Sequence, residues 1–165
     1  MGTYALEIVE ELPDLDYIFV PIGGGSGVSG LLTVIRSMLP GIRVIGVQAE
    51  RAPAVYRSWK EGRLVATQSA DTFADGLATR IPFELTFRLI QEQIDQIVTV
   101  SEQELEEAVY ELLRQTHNIA EGAGAAATAG AYKMRAEIAG KKVVTVLSGS
   151  NLEPARLKAI LEKFT

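Results

Sequence analysis

The chain has no cysteine, a single histidine and a single tryptophan. The absence of thiols removes disulfide frameworks, thiolate metal sites and cysteine nucleophiles together. The histidine, His117, closes a helical stretch and reads as helix-end packing, and Trp59 reads as packing too. No grouping of His, Asp and Glu has the spacing of metal ligands. Basic residues are in the minority: 16 Lys and Arg stand against 21 Asp and Glu, a formal net charge of −5. That balance argues against nucleic acid, whose phosphates need a basic face. Long apolar runs are missing as well, and no stretch approaches the roughly 18 to 20 residues of a membrane span. The opening MGTYALEIVEELPD is acidic where a secretory signal is basic, and Leu6 breaks the myristoylation pattern. No membrane partner is expected, and the expected address is cytoplasmic.

What is present suffices for one domain. At 165 residues with 47% apolar side chains, the chain can bury about 68–70% of its unfolded surface without staples. Apolar spacing predicts helices over residues 4–12, 28–39, 54–60, 82–94, 101–117, 120–139 and 153–164. Pro82 suits a first turn, and Ser101 with Glu104 reads as a capping box. Short apolar runs at 17–22, 42–47, 97–100 and 142–147 read as strands buried on both faces. Residues 65–80 have no period and read as loop. This alternation predicts an α/β fold: a doubly wound, mostly parallel sheet with helices on both faces, three layers in all. Ligands in such sheets sit beyond the carboxyl ends of the strands, near a switch in strand order. Two unusual segments fall there, Gly23-Gly24-Gly25-Ser26-Gly27 after the first strand and Ser148-Gly149-Ser150-Asn151 after the fourth.

Four glycines in five residues, between a strand and a helix, let backbone amides approach a ligand with no Cβ in the way. The helix that follows adds unpaired N–H groups and a positive dipole end, so the segment reads as a phosphate or other anion site. Residues 25–30 also fit G-x-G-x-x-G, with Glu50 near the end of the next strand, which keeps a dinucleotide open. A Walker loop is excluded because no Lys-Ser or Lys-Thr follows, and a nucleophile elbow lacks its second glycine. Ser148 can donate into the same crevice while Ser150 or Asn151 caps the last helix. Glu121 falls in a helical first turn, where the dipole favours an acid, beside small residues suited to close packing. All six lysines (60, 133, 141, 142, 158 and 163) stand in charged stretches. None has the surroundings of a desolvated, reactive amine.

Taken together, VPIGGGSGVSG, VIGVQAE, DTFADGLA, IAEGAGAAA and TVLSGSN run in the order found in threonine dehydratases. Over residues 2–164 the chain resembles the C-terminal part of a threonine dehydratase (threonine ammonia-lyase). The wider group is the pyridoxal-phosphate enzymes of the tryptophan synthase β-like fold (fold type II), which includes serine dehydratase and serine racemase. The resemblance implies a lyase of amino-acid metabolism. Its cofactor would be pyridoxal 5'-phosphate, and it would turn a hydroxy amino acid into a 2-oxo acid and ammonia by β-elimination. Gly23, Gly24, Gly25, Ser26 and Gly27 would hold the cofactor phosphate through backbone amides. Ser148 would hydrogen-bond the pyridine nitrogen, its neutral hydroxyl making the ring a milder electron sink than a carboxylate would. Glu121 matches a glutamate close to cofactor and substrate, and Gly76 a segment passing beside the ring.

The resemblance also marks departures. The family's Schiff-base lysine, and the asparagine that contacts the ring's phenolic oxygen, belong to motifs upstream of residue 1. No catalytic lysine is therefore expected in this chain. Residues 1–165 are expected to form a single domain, a partial catalytic domain that is inactive in isolation and binds the cofactor weakly or not at all. The implied partners are an amino acid substrate, the absent N-terminal half and, through surface left uncovered, further copies of the chain in a homo-oligomer. Glu121 is followed by Gly122 where the family has proline, which should loosen that turn. Metal-binding relatives carry acids at the positions of Gln48 and Ala54, so no metal is expected. Two alternatives of other classes stay open: a non-catalytic phosphate- or partner-binding module, and an NAD-type dinucleotide-binding domain.

Overall fold

The computed structural model describes residues 2–165. Its strands are β1 (Tyr17–Pro21), β2 (Arg43–Ala49), β3 (Gln96–Val100) and β4 (Val143–Thr145). They pair in parallel in the order β3-β2-β1-β4. The helices are α1 (Thr3–Glu11), α2 (Ser26–Met38), α3 (Ala54–Glu61), α4 (Glu84–Gln93), α5 (Glu102–Thr116), α6 (Gly122–Lys133) and α7 (Pro154–Phe164).

Side chains of a strand alternate between faces, and the two cores follow that parity. Ile18, Val20 and Val44 join Leu31, Leu32, Ile35 and Ile90 under α1, α2 and α4. Phe19, Ile45 and Val47 join Leu105, Ala126 and Ile160 under α5, α6 and α7. Both faces of β1 and β2 are thus dry, which is why they read as continuous apolar runs. From β1 the chain steps to β2 and β3 on one side, then returns to place β4 on the other. Reversal of direction moves the crossover to the opposite face, and the switch point falls between β1 and β4.

Some boundaries differ from the sequence expectation, each for a local reason. Helix α2 begins at Ser26, inside the glycine run, because Gly25 at its N-cap takes φ 89°, a left-handed conformation that glycine tolerates. Pro82 lies outside α4, whose N-cap is Phe83. Helix α6 stops at Lys133 and gives way to turns. β4 is three residues long because only residues 143–145 find ladder partners on β1. The N-cap position of the last helix is Glu153, whose side chain makes no cap bond, and Pro154 is its first residue, so neither Ser150 nor Asn151 caps it. The capping box is present: the Ser101 hydroxyl accepts from the Glu104 N–H, and the Glu104 carboxylate accepts from the Ser101 N–H at 2.7 Å. His117 ends α5 at φ 60° and is exposed, not packed. No helix among the described residues is long and apolar enough to cross a membrane.

Candidate active site

The switch point is where the marked residues meet. A cavity of about 720 Å³ opens beyond the carboxyl ends of β1 and β4, within the usual range for small-molecule sites. Gly23 to Gly27, Gly76, Glu121 and Ser148 all line it, with Tyr4, Leu77 and Ala123 among the other walls. The sequence reading gathered the first eight; the structure adds the last three.

The floor is the turn from β1 into α2. Ser26 and Gly27 form the first turn of α2, whose N–H groups have no acceptor within the helix. The Ile22 carbonyl accepts from the Gln48 amide at 3.2 Å, and Gln48 Oε1 accepts from the Tyr56 N–H at 2.8 Å. Gln48, where metal-binding relatives carry an acid, is here a fully buried link from β2 to the glycine run and to α3. The Thr86 hydroxyl donates to the Gly24 carbonyl at 2.9 Å, and the Tyr4 hydroxyl donates to the Gly27 carbonyl at 2.9 Å. Burial pushes the Tyr4 phenol up to about 12, so it stays a proton donor at any physiological pH. Tyr4 and Ile8, four apart on α1, both reach the cavity, a same-face spacing visible in the sequence. Nothing local to Thr86 announces its contact.

One wall is Gly76 and Leu77, at the end of the segment Phe73–Leu77, which closes in a single 3-10 turn, Asp75–Leu77. It is fixed from outside the cavity. The Phe73 N–H donates to the Glu102 carboxylate at 3.0 Å, and the Arg156 guanidinium stacks over the Phe73 ring at 4.2 Å. Gly76 presses against Gly23 on one side and Ala123 on the other. At Gly122, a Cβ would stand 2.6 Å from the Phe73 ring. The room a proline would need there is occupied by Phe73.

An adjoining wall joins Glu121 to the loop after β4. The Glu121 N–H donates to the Gly149 carbonyl at 3.1 Å, and the Asn151 N–H donates to the Glu121 carboxylate at 3.2 Å. Glu121 is the N-cap of α6, not a first-turn residue, and its side chain makes no cap bond. Its carboxylate holds the loop instead. Ser148 stands exposed on the cavity wall beside this loop.

No lysine, arginine or histidine lines the cavity among the described residues. Every lysine is engaged elsewhere. Lys133 meets Glu50 and Glu104, Lys141 meets Asp16, Lys142 meets Asp14, Lys158 meets Glu162 and Lys163 meets Glu106. Lys60 lies 5.2 Å over the Trp59 ring. An anion here would meet backbone amides and hydroxyls alone. The site has room for a small phosphate ester with a flat ring, with the glycine backbone, the Gly76 segment beside it and Ser148 all on its walls. It offers no amine to bond such a group covalently.

The comparisons with known proteins agree with one another. Residues 1–149 match the model of the family "Pyridoxal-phosphate dependent enzyme". The L-threonine ammonia-lyase of Thermotoga maritima is 41% identical over 162 residues, 98% of this chain and 40% of that protein. The catabolic L-threonine dehydratase of Escherichia coli is 38% identical over 161 residues, 96% of this chain and 49% of the relative. Among solved structures, the processed form of threonine deaminase isoform 2 from Solanum lycopersicum superposes with a TM-score of 0.93 at 34% identity. It does so over 98% of this chain and 48% of that one. Maize serine racemase gives a TM-score of 0.88 at 26% identity, over 98% and 50%. The chain thus spans between two fifths and half of the curated relatives named here. The dinucleotide alternative does not survive this match. Glu50, which it required, is exposed beyond β2 and paired with Lys133.

Proposed function

The chain belongs to the pyridoxal-phosphate dependent enzymes, and on that premise we propose that it carries the cofactor-holding part of a hydroxy amino acid dehydratase. The intact enzyme would convert threonine to 2-oxobutanoate and ammonia, the β-hydroxyl leaving with the α-proton as water that hydrolysis later returns. One observation carries this reading: Gly23–Gly27, Gly76, Glu121 and Ser148 converge on one cavity at the switch point, with no amine among them. Pyridoxal 5'-phosphate, when bound, supplies an electron-withdrawing ring that stores the charge left when the α-proton is removed.

The chain's own residues bind and orient. The amides of Gly24 to Gly27 would hold the cofactor phosphate at the N-terminus of α2, where the helix dipole is favourable. The Ser148 hydroxyl would meet the ring nitrogen without a full charge. Gly76, Leu77 and Ala123 wall the cavity on one side. Glu121, held to the 148–151 loop, fixes the distance between that loop and α6. The amine that anchors the cofactor comes from outside residues 1–165, from the N-terminal half that the longer relatives possess.

The test is complementation. The purified chain alone is expected to release no 2-oxo acid from threonine or serine. Mixed with the N-terminal half of a threonine dehydratase and the cofactor, it is expected to release 2-oxobutanoate from threonine, with the visible absorbance of a lysine-bound cofactor appearing only in the mixture. Turnover by the isolated chain above a heat-killed control would refute the half-site assignment. Saturable NAD(H) binding with none of pyridoxal phosphate would refute the reading as a whole.

A further inference from the structure

The cavity holds no cationic side chain among the described residues, so the aim of individual peptide units decides whether an anion binds. We infer that Thr86, a residue of α4 outside the cavity, is a positioning residue that turns the Gly25 amide toward the anion. This rests on the reading of the glycine run as the phosphate site.

The argument begins with the peptide unit. In a trans peptide the carbonyl of one residue and the N–H of the next point in opposite directions. The Gly24 carbonyl accepts from the Thr86 hydroxyl at 2.9 Å, so it points at α4. The Gly25 N–H must point the other way. No residue of α4 lines the cavity; α4 stands behind the glycine run, and "away from α4" is toward the cavity. Absent that hydroxyl, the 24–25 unit is free to rotate. It sits between glycines, one of them at φ 89°, where no side chain opposes a flip.

Three further contacts make Thr86 a fixed point. Its one hydroxyl proton is shared between the Gly24 carbonyl, the nearer acceptor, and the Phe83 carbonyl at 3.1 Å in the first turn of α4. The Ser29 hydroxyl donates to its carbonyl at 3.4 Å, tying α4 to α2. A Cβ on Gly25 would stand 2.8 Å from Thr86 Oγ1 and 3.1 Å from Ile90 Cδ1, so the turn lies flush against α4. The hydroxyl therefore sets an orientation, whereas Thr86 Cβ and Ile90 Cδ1 set the distance.

Two variants separate these contributions. Thr86→Val keeps the shape and loses the hydroxyl; Thr86→Ser keeps the hydroxyl and loses a methyl. Inorganic phosphate is titrated into the 165-residue chain while the Gly25 amide is followed by proton–nitrogen correlation spectra, with melting temperature measured in phosphate-free buffer. A net hydrogen bond is worth about 0.5–1.5 kcal/mol, so Thr86→Val should weaken phosphate binding by roughly threefold to tenfold. The Gly25 shift on saturation should shrink, while Thr86→Ser stays within about twofold of the parent. Parent-like affinity in Thr86→Val, or equal loss in both variants, would overturn the inference and leave the phosphate site standing. A parent Gly25 amide that does not move with phosphate would overturn both.

Discussion

Replacing Gly124 by alanine sets two known effects against each other. Gly124 is a buried interior residue of α6, and alanine is preferred there by about 1 kcal/mol. Against this stands the Gly149 backbone. A Cβ at 124 would overlap the Gly149 carbonyl oxygen and lie 3.1 Å from its carbonyl carbon and its nitrogen. Van der Waals contact needs roughly 3.5–4.0 Å. The neighbour is main chain, so no rotamer change relieves the overlap; the 148–151 loop or α6 must shift. That loop is held by the Glu121 N–H on Gly149 and the Asn151 N–H on the Glu121 carboxylate. Overpacking costs about 1–3 kcal/mol, and a loop that moves off loses a bond to a charged acceptor worth about 1.5–3 kcal/mol. The helix gain offsets only part of the two costs together, leaving a net loss of about 1.5–5 kcal/mol, or roughly 3–20 °C in melting temperature for a domain of this size. Urea unfolding followed by circular dichroism measures it. Gly41→Ala serves as control, because a Cβ there meets nothing within 4 Å, and its change should stay within about 0.5 kcal/mol. A Gly124→Ala chain as stable as the parent, or more so, would show that the propensity term acts alone. The close seating of the 148–151 loop on α6 would then be wrong.

Acid sensitivity should centre on Glu104. Burial works to raise its pKa, but the Ser101 amide and Lys133 outweigh burial, and the carboxyl sits below its ordinary value. A lowered folded pKa means that the contribution is complete above the unfolded value and is lost as pH falls through the folded one. The urea midpoint should therefore fall on acidification through that window, and less steeply in Glu104→Gln; parallel profiles would contradict this. Self-association is the other expectation. β4 is an edge strand with half-buried Val143 and Val144, followed directly by half-buried Val146 and an exposed Leu147, the kind of edge that pairs with a second chain. Light scattering should show mass rising with concentration, and Leu147→Lys should suppress it; a strictly monomeric parent across the micromolar range would exclude the idea.

The layers were legible because burial writes itself into short ranges. Ile18, Phe19 and Val20 are apolar in sequence because both sheet faces are covered, and the Ser101–Glu104 box is four residues read as one unit. The site's floor was legible for a similar reason, since glycine runs have few structural uses. Long-range contacts were not. Thr86 reaches Gly24 across 62 residues, and no local pattern distinguishes it from any helical threonine. The end of α6 lies earlier than the pattern implies. Ala131, Met134 and Ile138 keep a helical spacing through a stretch where the chain, from Met134 to Glu137, has already turned. Ser150 and Asn151 looked like caps because their side chains suit caps. In the fold Pro154 fixes the start of α7 three residues later, and the Asn151 N–H is drawn to Glu121 instead.

That last contact bears on what this half of the site can do. Glu121 is the one carboxylate on the cavity wall among the described residues, and a free carboxylate there would be a natural general base. Its oxygen already accepts from the Asn151 amide, and its own N–H is bound to Gly149. A group engaged in holding two segments together is poorly placed to travel with a proton. The hydroxyls of Tyr4 and Ser148 are weak bases, and Tyr4 is further committed to the Gly27 carbonyl. On the proposed reading, the proton taken from the substrate must therefore be received by a group outside residues 1–165. On that reading, an amine supplied from the other half would be a base as well as an anchor, and one residue would complete both functions. A single lysine returned to the mixture, and not a lysine plus a separate base, is what complementation should require.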